Sequence, residues 1–587
     1  MNRVPRWISS SGNEVLLQEC LRLLSSPGQK TQLIFLYGDS GCGLSALSHQ
    51  IARRLDRQGV NVLTLPEHPI ITDASLFDGV IEALGLPPAY GKFWAGLASE
   101  YRAALKLRKI DTAIINDLQS YTVLGDHRTP QTIKAIAELY HGGLVRSLVL
   151  CSTLKTFERI APKLRVAEIK YIEVPIGRMS FDSTYVSFVG DTLYNLTGSR
   201  ELAQPLALDF FRNSEGLVGR SINYIRSYVA PIESLATHSS SPAKVWFAGF
   251  SRPVPDETFP SWVMRNAYRP KVLCMTNQVI DICRHLVQLS SAEEGSGGQA
   301  LIDVSMLPVP LRIPTISETF RFHCGSEAGH ASLAYCPKCL VDDVASGRFP
   351  AWRSEWSCHG HCICYKHPTP SILSILQTPY ADPFLKGWNA FCEYTNSPLP
   401  RINRKVVSGS QSSEKLEAQE TKMCLLGWRV QRWVLEQVRT GNYSELTDDG
   451  VNYLLNILLH EPYKNGCTGG FARSYIESRD LFHVSYASNI KPGSFYNGRK
   501  TASPLQTLIA YLMIGVAYGV ISSPEAVFLR TVFKPPREMF PISRSHISLS
   551  AMRVFLPSRQ LAIVRRANRT LTHETYQQIS WVFDSAQ

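Results

Sequence analysis

Short apolar runs alternate with stretches of helical periodicity over residues 1–235. The run Gln32-Leu33-Ile34-Phe35-Leu36-Tyr37 is apolar at nearly every position, as a strand covered on both faces must be, and predicts a strand over 32–37. The same reasoning predicts strands at 60–65, 112–115, 147–151 and 169–174. Helical spacing falls between them at 44–55, 74–84 and 132–140, and a helical segment over 200–228 closes the region. Parallel strands need crossovers of this kind, so the pattern predicts an α/β domain with a parallel sheet.

The pattern changes after a Ser- and Pro-containing stretch, read as a linker over 236–250. Residues 251–405 are irregular, rich in proline and carry a cluster of cysteines. Residues 406–420 are polar without apolar periodicity and predict a second joint. From 421 to 587 the chain is helical in pattern, with periodic segments at 425–438, 450–459 and 505–520. The most apolar stretch, 508–521, is interrupted by Gly515 and Gly519 and falls short of the roughly 20 residues a membrane span needs. It predicts a buried helix, and no membrane partner is expected. Residues 1–30 hold no continuous apolar run of the kind a secretory leader carries. With cysteines bunched rather than spread, the expected compartment is reducing cytoplasm.

Composition adds one constraint. The 587 residues carry 61 Lys+Arg against 49 Asp+Glu, a net charge of +12. That balance favours an acidic partner, DNA first among them, although a merely basic soluble protein has the same composition. Hydrophobic content of 44% excludes broad disorder.

Two constellations carry chemistry. Gly38-Asp39-Ser40-Gly41-Cys42-Gly43-Leu44-Ser45 follows a predicted strand and opens a predicted helix. This is the context of a phosphate loop, G-x-x-x-x-G-K-[ST], whose backbone N–H groups surround phosphate oxygens at a helix N-terminus. Leucine stands where the loop's lysine should be, so the charge that neutralises the terminal phosphates is missing. Ser45 keeps the hydroxyl that ligates magnesium. The acidic pair expected after a later strand reads Asn116-Asp117 rather than Asp-Glu, which weakens the metal and general-base functions together. A phosphate-loop fold that hydrolyses ATP poorly or not at all is the expectation. ATP and magnesium are doubtful cofactors, and no catalytic residue is assigned. An active ATPase borrowing Lys92 or Lys106 is the rival.

The second constellation pairs Cys336-Pro337-Lys338-Cys339 with Cys364-Tyr365-Lys366-His367. Two pairs with two-residue gaps can close a tetrahedral site of three sulfurs and one nitrogen, a structural zinc site with no position left for water. Cys324, His330, Cys358, His359, His361 and Cys362 crowd the same region and could form a second site. Of these, Cys362 and His359 compete most directly with Cys364 and His367.

Two resemblances follow from these residues. The first module resembles the TniB and MuB-like AAA+ ATPases of transposition, through the 38–45 loop, the 114–117 strand end, Leu148-Val149-Leu150-Cys151-Ser152-Thr153 as a sensor strand, and Glu215-Gly216-Leu217-Val218-Gly219-Arg220 in a helical lid. The second module resembles TniQ and TnsD proteins. Pro255-Asp256-Glu257 with Ser261-Trp262 and Arg265 is similar to their opening, and Tyr335-Cys336-Pro337-Lys338-Cys339-Leu340 followed by Asp343 is similar to their knuckle. The family's next cysteine pair is not evident beyond His367. Phe259 and Trp262 are expected to be core anchors, and Glu257 and Arg265 could form a buried pair. The resemblance implies a zinc-ribbon-containing TniQ module that selects a transposition target, either a DNA site or a guide-RNA (Cascade-type) complex, and recruits an AAA+ regulator and transposase.

A basic tail completes the reading. Arg537, Arg544, Arg553, Arg559, Arg565 and Arg566 are the candidate DNA-binding residues, with 543–555 as a recognition-type helix. The expected whole is a multidomain adaptor of three parts: an α/β P-loop, AAA+-like domain (1–235), a TniQ-like zinc domain (251–405) and a basic α-helical region (421–587). It is expected to act by binding rather than bond-making. A transcriptional regulator with a vestigial NTPase domain is the other alternative.

Overall fold

A computed structural model describes residues 11–25, 31–66, 75–88, 96–122, 128–197, 200, 203–233, 250–268, 277–292, 320, 333–357, 360–377, 382–396, 413–440, 446–460, 470–477, 498–533, 539–555 and 557–586. Nearly all of the linker expected over 236–250 lies outside them, as do the candidates Cys324, His330, Cys358, His359 and Arg537. The chain divides into two compact units, one made mainly of residues 1–250 and the other mainly of residues 251–587.

The first unit contains α1 (Ser11–Ser25), β1 (Gln32–Gly38), α2 (Leu44–Arg57), β2 (Val62–Leu65), α3 (Leu76–Ala83), α4 (Ser99–Leu107), β3 (Thr112–Ile115), α5 (Arg128–His141), β4 (Ser147–Thr153), α6 (Leu154–Val166), β5 (Ile172–Ile176), α7 (Ser183–Thr197), α8 (Ala203–Ser214) and α9 (Val218–Glu233). Its five strands form one parallel sheet in the order β2-β3-β4-β1-β5. β1 is central, and Leu33 to Leu36 are buried, which explains the unbroken apolar run. On one face Leu17, Cys20, Leu47, Ile51 and Leu55 of α1 and α2 pack against Ile34, Leu36, Ile114 and Val149 of the sheet. On the other face the Phe157 ring of α6 stacks on Tyr37 at 3.8 Å.

The helical segment expected over 200–228 is two helices. Glu215 and Gly216 take left-handed φ values of 55° and 74°, which ends α8 and starts the turn into α9. With α7 they form a small bundle around Tyr185, Phe188, Leu193, Phe210 and Ile225. The strand order has one consequence for function. It sets the C-terminal ends of β1, β4 and β3 side by side, the edge at which open α/β sheets bind ligands.

The second unit contains α10 (Phe259–Ala267), α11 (Asn277–Ala292), β6 (Ala334–Tyr335), α12 (Pro337–Ala345), β7 (Ile363–Cys364), β8 (Ser371–Ile372), β9 (Ser374–Ile375), α13 (Lys386–Asn396), α14 (Ser413–Thr440), α15 (Asp448–Leu458), α16 (Pro504–Ala517), α17 (Ser523–Val532), α18 (Arg544–Arg553), α19 (Pro557–Thr570) and α20 (His573–Ile579). The joint expected over 406–420 is helix from Ser413 onward. Residues 508–517 lie within α16 and are buried on almost every side, so the most apolar stretch is a core helix. Among the described residues no helix is long and apolar enough to cross a membrane.

The cysteine-rich strands and the C-terminal helices share one core. Cys362 and Ile363 belong to the same apolar cluster as Val430, Leu454, Leu508 and Leu512. Gln431 of α14 is the polar link inside it. Its Oε1 accepts hydrogen bonds from the N–H groups of Cys362 (2.8 Å) and Ile363 (3.0 Å), and its Nε2 donates to the Ile363 carbonyl (3.0 Å). A buried side chain thus completes the edge of a two-residue strand. Gln431→Leu keeps the volume but strands two N–H groups and a carbonyl, and should cost about 2–4 kcal/mol. Urea denaturation of the full chain followed by tryptophan fluorescence measures it.

Candidate functional site

The phosphate loop is built where the sheet edge predicts it. Gly41 and Gly43 have φ values of 89° and 94°, a left-handed path that favours glycine. Gly43 caps α2 without any side-chain hydrogen bond, so the first N–H groups of that helix are left facing the loop. The start of α9 lies on the same loop. Arg220 N donates to the Gly41 carbonyl at 3.1 Å, and a Cβ on Gly219 would sit 2.8 Å from that oxygen. This close approach is the physical reason for glycine in the 215–220 segment.

These elements enclose a cavity of about 430 Å³ lined by the whole loop, 38–45, together with Asn116, Asp117, Gln119, Ser152 and Thr153. Leu16, Ile176, Val218 and Ile222 add an apolar wall. The cavity therefore has a polar floor of backbone N–H groups and an apolar flank, the two surfaces a nucleotide needs. Leu44, in the lysine position, packs partly against the core under α1 and α2. Among the described residues the cationic side chain lining the cavity is Arg226 of α9. Lys106 lies on α4 and is not part of the lining, and Lys92 lies outside the described residues.

Asn116 and Asp117 reach the cavity as expected, but in different states. Asn116 is 3% exposed, and neither its Oδ1 nor its Nδ2 has a hydrogen-bond partner among the described residues. A buried amide without partners is costly, and this one borders a cavity sized for a polar ligand. Asp117 accepts a hydrogen bond from the Ser120 hydroxyl. Asp39 is engaged by Arg178 at 3.0 Å, and Arg178 also holds Glu215 at 2.8 Å, so the loop's own carboxylate is neutralised from outside. Sequence reasoning missed Arg226 and Gln119, because only the fold brings the lid helix and the turn after β3 to the loop.

The cysteine cluster forms in the second unit. Cys336 and Cys339 sit at the start of α12, Cys364 ends β7, and His367 follows in the next turn. Their donor atoms all lie within 4.8 Å of one another. Cys339 Sγ is 3.6 Å from Cys364 Sγ and 3.2 Å from His367 Nε2, and Cys336 Sγ is 3.3 Å from the same nitrogen. Tetrahedral zinc with bonds of about 2.0–2.3 Å spaces its donors by roughly 3.3–3.8 Å, so the set fits that ion. The electrostatics agree. Hydrogen bonds from Cys336 and then Cys339 drive the Cys364 thiol far below its ordinary range. Cys336 is raised by its contacts with Cys339 and Cys364 and by burial. For Cys339 the bond to Cys336 lowers the pKa, but the bond to Cys364 and burial outweigh it and push it to about 12. Crowded thiols share one negative charge, and a divalent cation resolves the crowding by replacing the remaining protons.

The surroundings hold these ligands in place. Asp342 Oδ2 lies 3.3 Å from His367 Nδ1, the carboxylate–imidazole arrangement that fixes a ligating ring. Asp343 forms a buried ion pair with Arg353 at 3.1 Å and accepts from Ala351 N. Lys366 bridges Asp256 and Glu355 at 2.9 and 2.8 Å. Cys362 is outside the cluster, with its Sγ against Gln431 Oε1 in the helical core, and His361 is not part of it either.

The expected opening motif is a packed lock. Arg265 binds both Glu257 oxygens, at 2.9 and 2.6 Å, with the side chains 6% and 0% exposed. Trp262 Nε1 donates to the Ser251 carbonyl, and Ser261 Oγ accepts from Trp352 N. Phe259 and Trp262 are fully buried.

The basic tail is arranged differently from the recognition helix expected over 543–555. Ile547, Ser548, Ser550, Ala551 and Met552 of α18 are buried, and Ser548 Oγ donates to the Val582 carbonyl. Arg544 lies over the Tyr518 and Trp581 rings and donates to the Ala517 carbonyl. Arg553, Arg565 and Arg566 are exposed, and Arg559 is half-buried.

No protein-family model matches the sequence, and no curated protein matches it. Among solved structures it is similar to domain III of the replication initiation protein DnaA from Thermotoga maritima, with 18% identity over 39% of this chain and 90% of that one, at a TM-score of 0.28. It is also similar to the ORC2 protein of Aeropyrum pernix in its ADP form, with 14% identity over 40% of this chain and 68% of that one, at a TM-score of 0.27. Likenesses at these scores carry no weight; the character of the first unit rests on its own strand order and loop.

The donor geometry makes a sharp expectation for metal. The purified chain should hold about one zinc, and Cys336→Ser with Cys339→Ser should abolish it, while Cys362→Ser should leave it. Metal analysis by mass spectrometry after gel filtration distinguishes the three proteins.

Proposed function

We propose that this protein is an accessory factor of DNA transposition: a target-selection adaptor with a TniQ-like zinc module fused to a degenerate AAA+-like module. The carrying observation is the convergence of Cys336, Cys339, Cys364 and His367 next to the interlocked Glu257, Ser261, Trp262 and Arg265. The residues through which the sequence resembles TniQ proteins fall into one folded neighbourhood: Asp256 of the opening motif pairs with Lys366 of the closing one. A closed Cys3His site has no position for substrate, so this half acts by presenting a surface rather than by chemistry.

The first unit supplies docking. Its cavity keeps the backbone cradle for phosphate and an apolar wall, and the unpartnered Asn116 amide favours a polar occupant. Leu44 in place of lysine, and Asn116 in place of aspartate, remove charge from the terminal phosphates and the magnesium site. In this reading the unit holds a nucleotide without turning it over, and joins AAA+ regulators through the faces they use among themselves. The target is a DNA site or a guide-RNA complex.

Two measurements test the proposal. In a transposition assay with a transposase and an AAA+ regulator from the same source, the chain should direct insertion to one target, and its omission should scatter or abolish insertion; equal targeting without it overturns the adaptor role. The purified chain should bind a fluorescent adenine nucleotide yet hydrolyse ATP no faster than its Ser45→Ala variant. Turnover well above that variant would instead make it an active ATPase using Arg226 in place of the lysine.

A further inference from the structure

The segment 539–573 contains six arginines, no lysine and no acidic residue. Elsewhere in the second unit exposed arginines find carboxylates, Arg429 with Glu525 and Arg432 with Glu436, and the half-buried Arg284 pairs with Asp281 and Asp382. In this segment none is within reach along the chain. Arg553, Arg565 and Arg569 are exposed and have neither an ion pair nor a hydrogen bond from their side chains among the described residues.

Helix α19 concentrates that charge on one side. Its inner face carries Ile563 and Ala567, both buried, and Gln560, whose Nε2 donates to the Met552 and Phe555 carbonyls at the end of α18. Tyr453 Oη donates to the Ile563 carbonyl at 2.8 Å and fixes the helix to the core. At 100° per residue the opposite face carries Leu561, Ala562, Arg565 and Arg569, all exposed. Asn568 borders that face and is also exposed. The helix is therefore rigidly backed, and its free face holds two arginines one turn apart at its centre, Leu561 and Ala562 to either side, and an amide at the rim.

We propose that α19, rather than α18, is the helix that enters duplex DNA. The inference rests on the target-selection reading and deepens it by naming the partner and the surface. Fourteen residues span about 21 Å, long enough to lie along a major groove about 12 Å wide, whereas the deep, narrow groove of duplex RNA excludes a helix. Arginine suits both jobs there, bridging phosphates and reading guanine through two hydrogen bonds, and asparagine matches adenine. Ala562 leaves room for the backbone to approach the base edges. Helix α18 has less to offer: Ser548 and Ser550 are buried, Arg544 is held by aromatic rings, and Arg553 in its last turn is its one exposed arginine without a partner among the described residues.

The test is fluorescence anisotropy of the full-length protein with a labelled 30-base-pair random duplex across a salt series. Arg565→Ala with Arg569→Ala should weaken binding about tenfold near 100 mM salt. The slope of log affinity against log salt should flatten by about 2, near 0.9 per lost phosphate contact. Lysine at both positions should restore most of that slope. Lys163→Ala with Arg165→Ala, on α6 of the first unit, should bind as the parent does. Parent-like affinity and slope in the double alanine variant overturn the assignment, as does a preference for duplex RNA over DNA that the same variant removes. Either failure concerns α19 alone, because directed insertion with the transposase and regulator is read separately.

Discussion

Three thiols and an imidazole from segments about 25 residues apart are forced to within 4.8 Å of one another, and the ion pairs around them are arranged by that constraint. Left as thiols they crowd and share charge unfavourably, so the cluster makes sense as a cation site. Its neighbours are arranged to make it rigid. Asp342 orients the ring, Asp343 and Arg353 form a dry ion pair beside it, and the Glu257–Arg265 pair locks the helix that precedes it. Breaking a buried pair of this kind leaves an isolated charge in low dielectric, and both Arg265 and Arg353 add a backbone carbonyl to the carboxylate they hold.

The first unit separates what backbone does from what side chains do in a phosphate loop. Glycines with left-handed φ, an uncapped helix start and the strand order all persist, and together they preserve the cradle. Leu44 and Asn116 stand where the phosphate-loop pattern has a lysine and an aspartate. Leu44 turns partly toward the apolar layer, and Asn116 brings an amide where a carboxylate would hold a cation. The shape of the loop is written in glycine conformations and sheet register, and does not depend on which side chains stand at 44 and 116.

Much of this was readable in the sequence, and the limits have physical causes. Strand 112–115 is found at those bounds, and β1 extends the predicted 32–37 by one residue, because both are short apolar runs covered on two faces. The two-residue gaps single out Cys336, Cys339, Cys364 and His367, but Cys362 competes with Cys364 in the sequence and is excluded only by the fold, which gives it Gln431 as partner. The joint predicted over 406–420 reads as polar because Leu416 and Ala418 are the only apolar residues in the first two turns of α14, too few to show a helical period. The helix expected to read DNA was picked for its serines and arginines, but periodicity could not reveal that Ser548 and Ser550 face inward. Arg226 joins the phosphate cavity through tertiary packing, which leaves no local signal.

Gln431 gives the two halves of the second unit a common fate. It sits on a long helix, holds no ion, and yet satisfies the backbone of the strand that delivers Cys364. Whatever steadies that helix would therefore tighten the grip on a bound zinc, and bound zinc would in turn steady the helix, by the same free energy in both directions. A zinc-loaded chain ending before Gln431 would keep all four donors and still give up the ion to a competing chelator sooner than the zinc-loaded intact protein would.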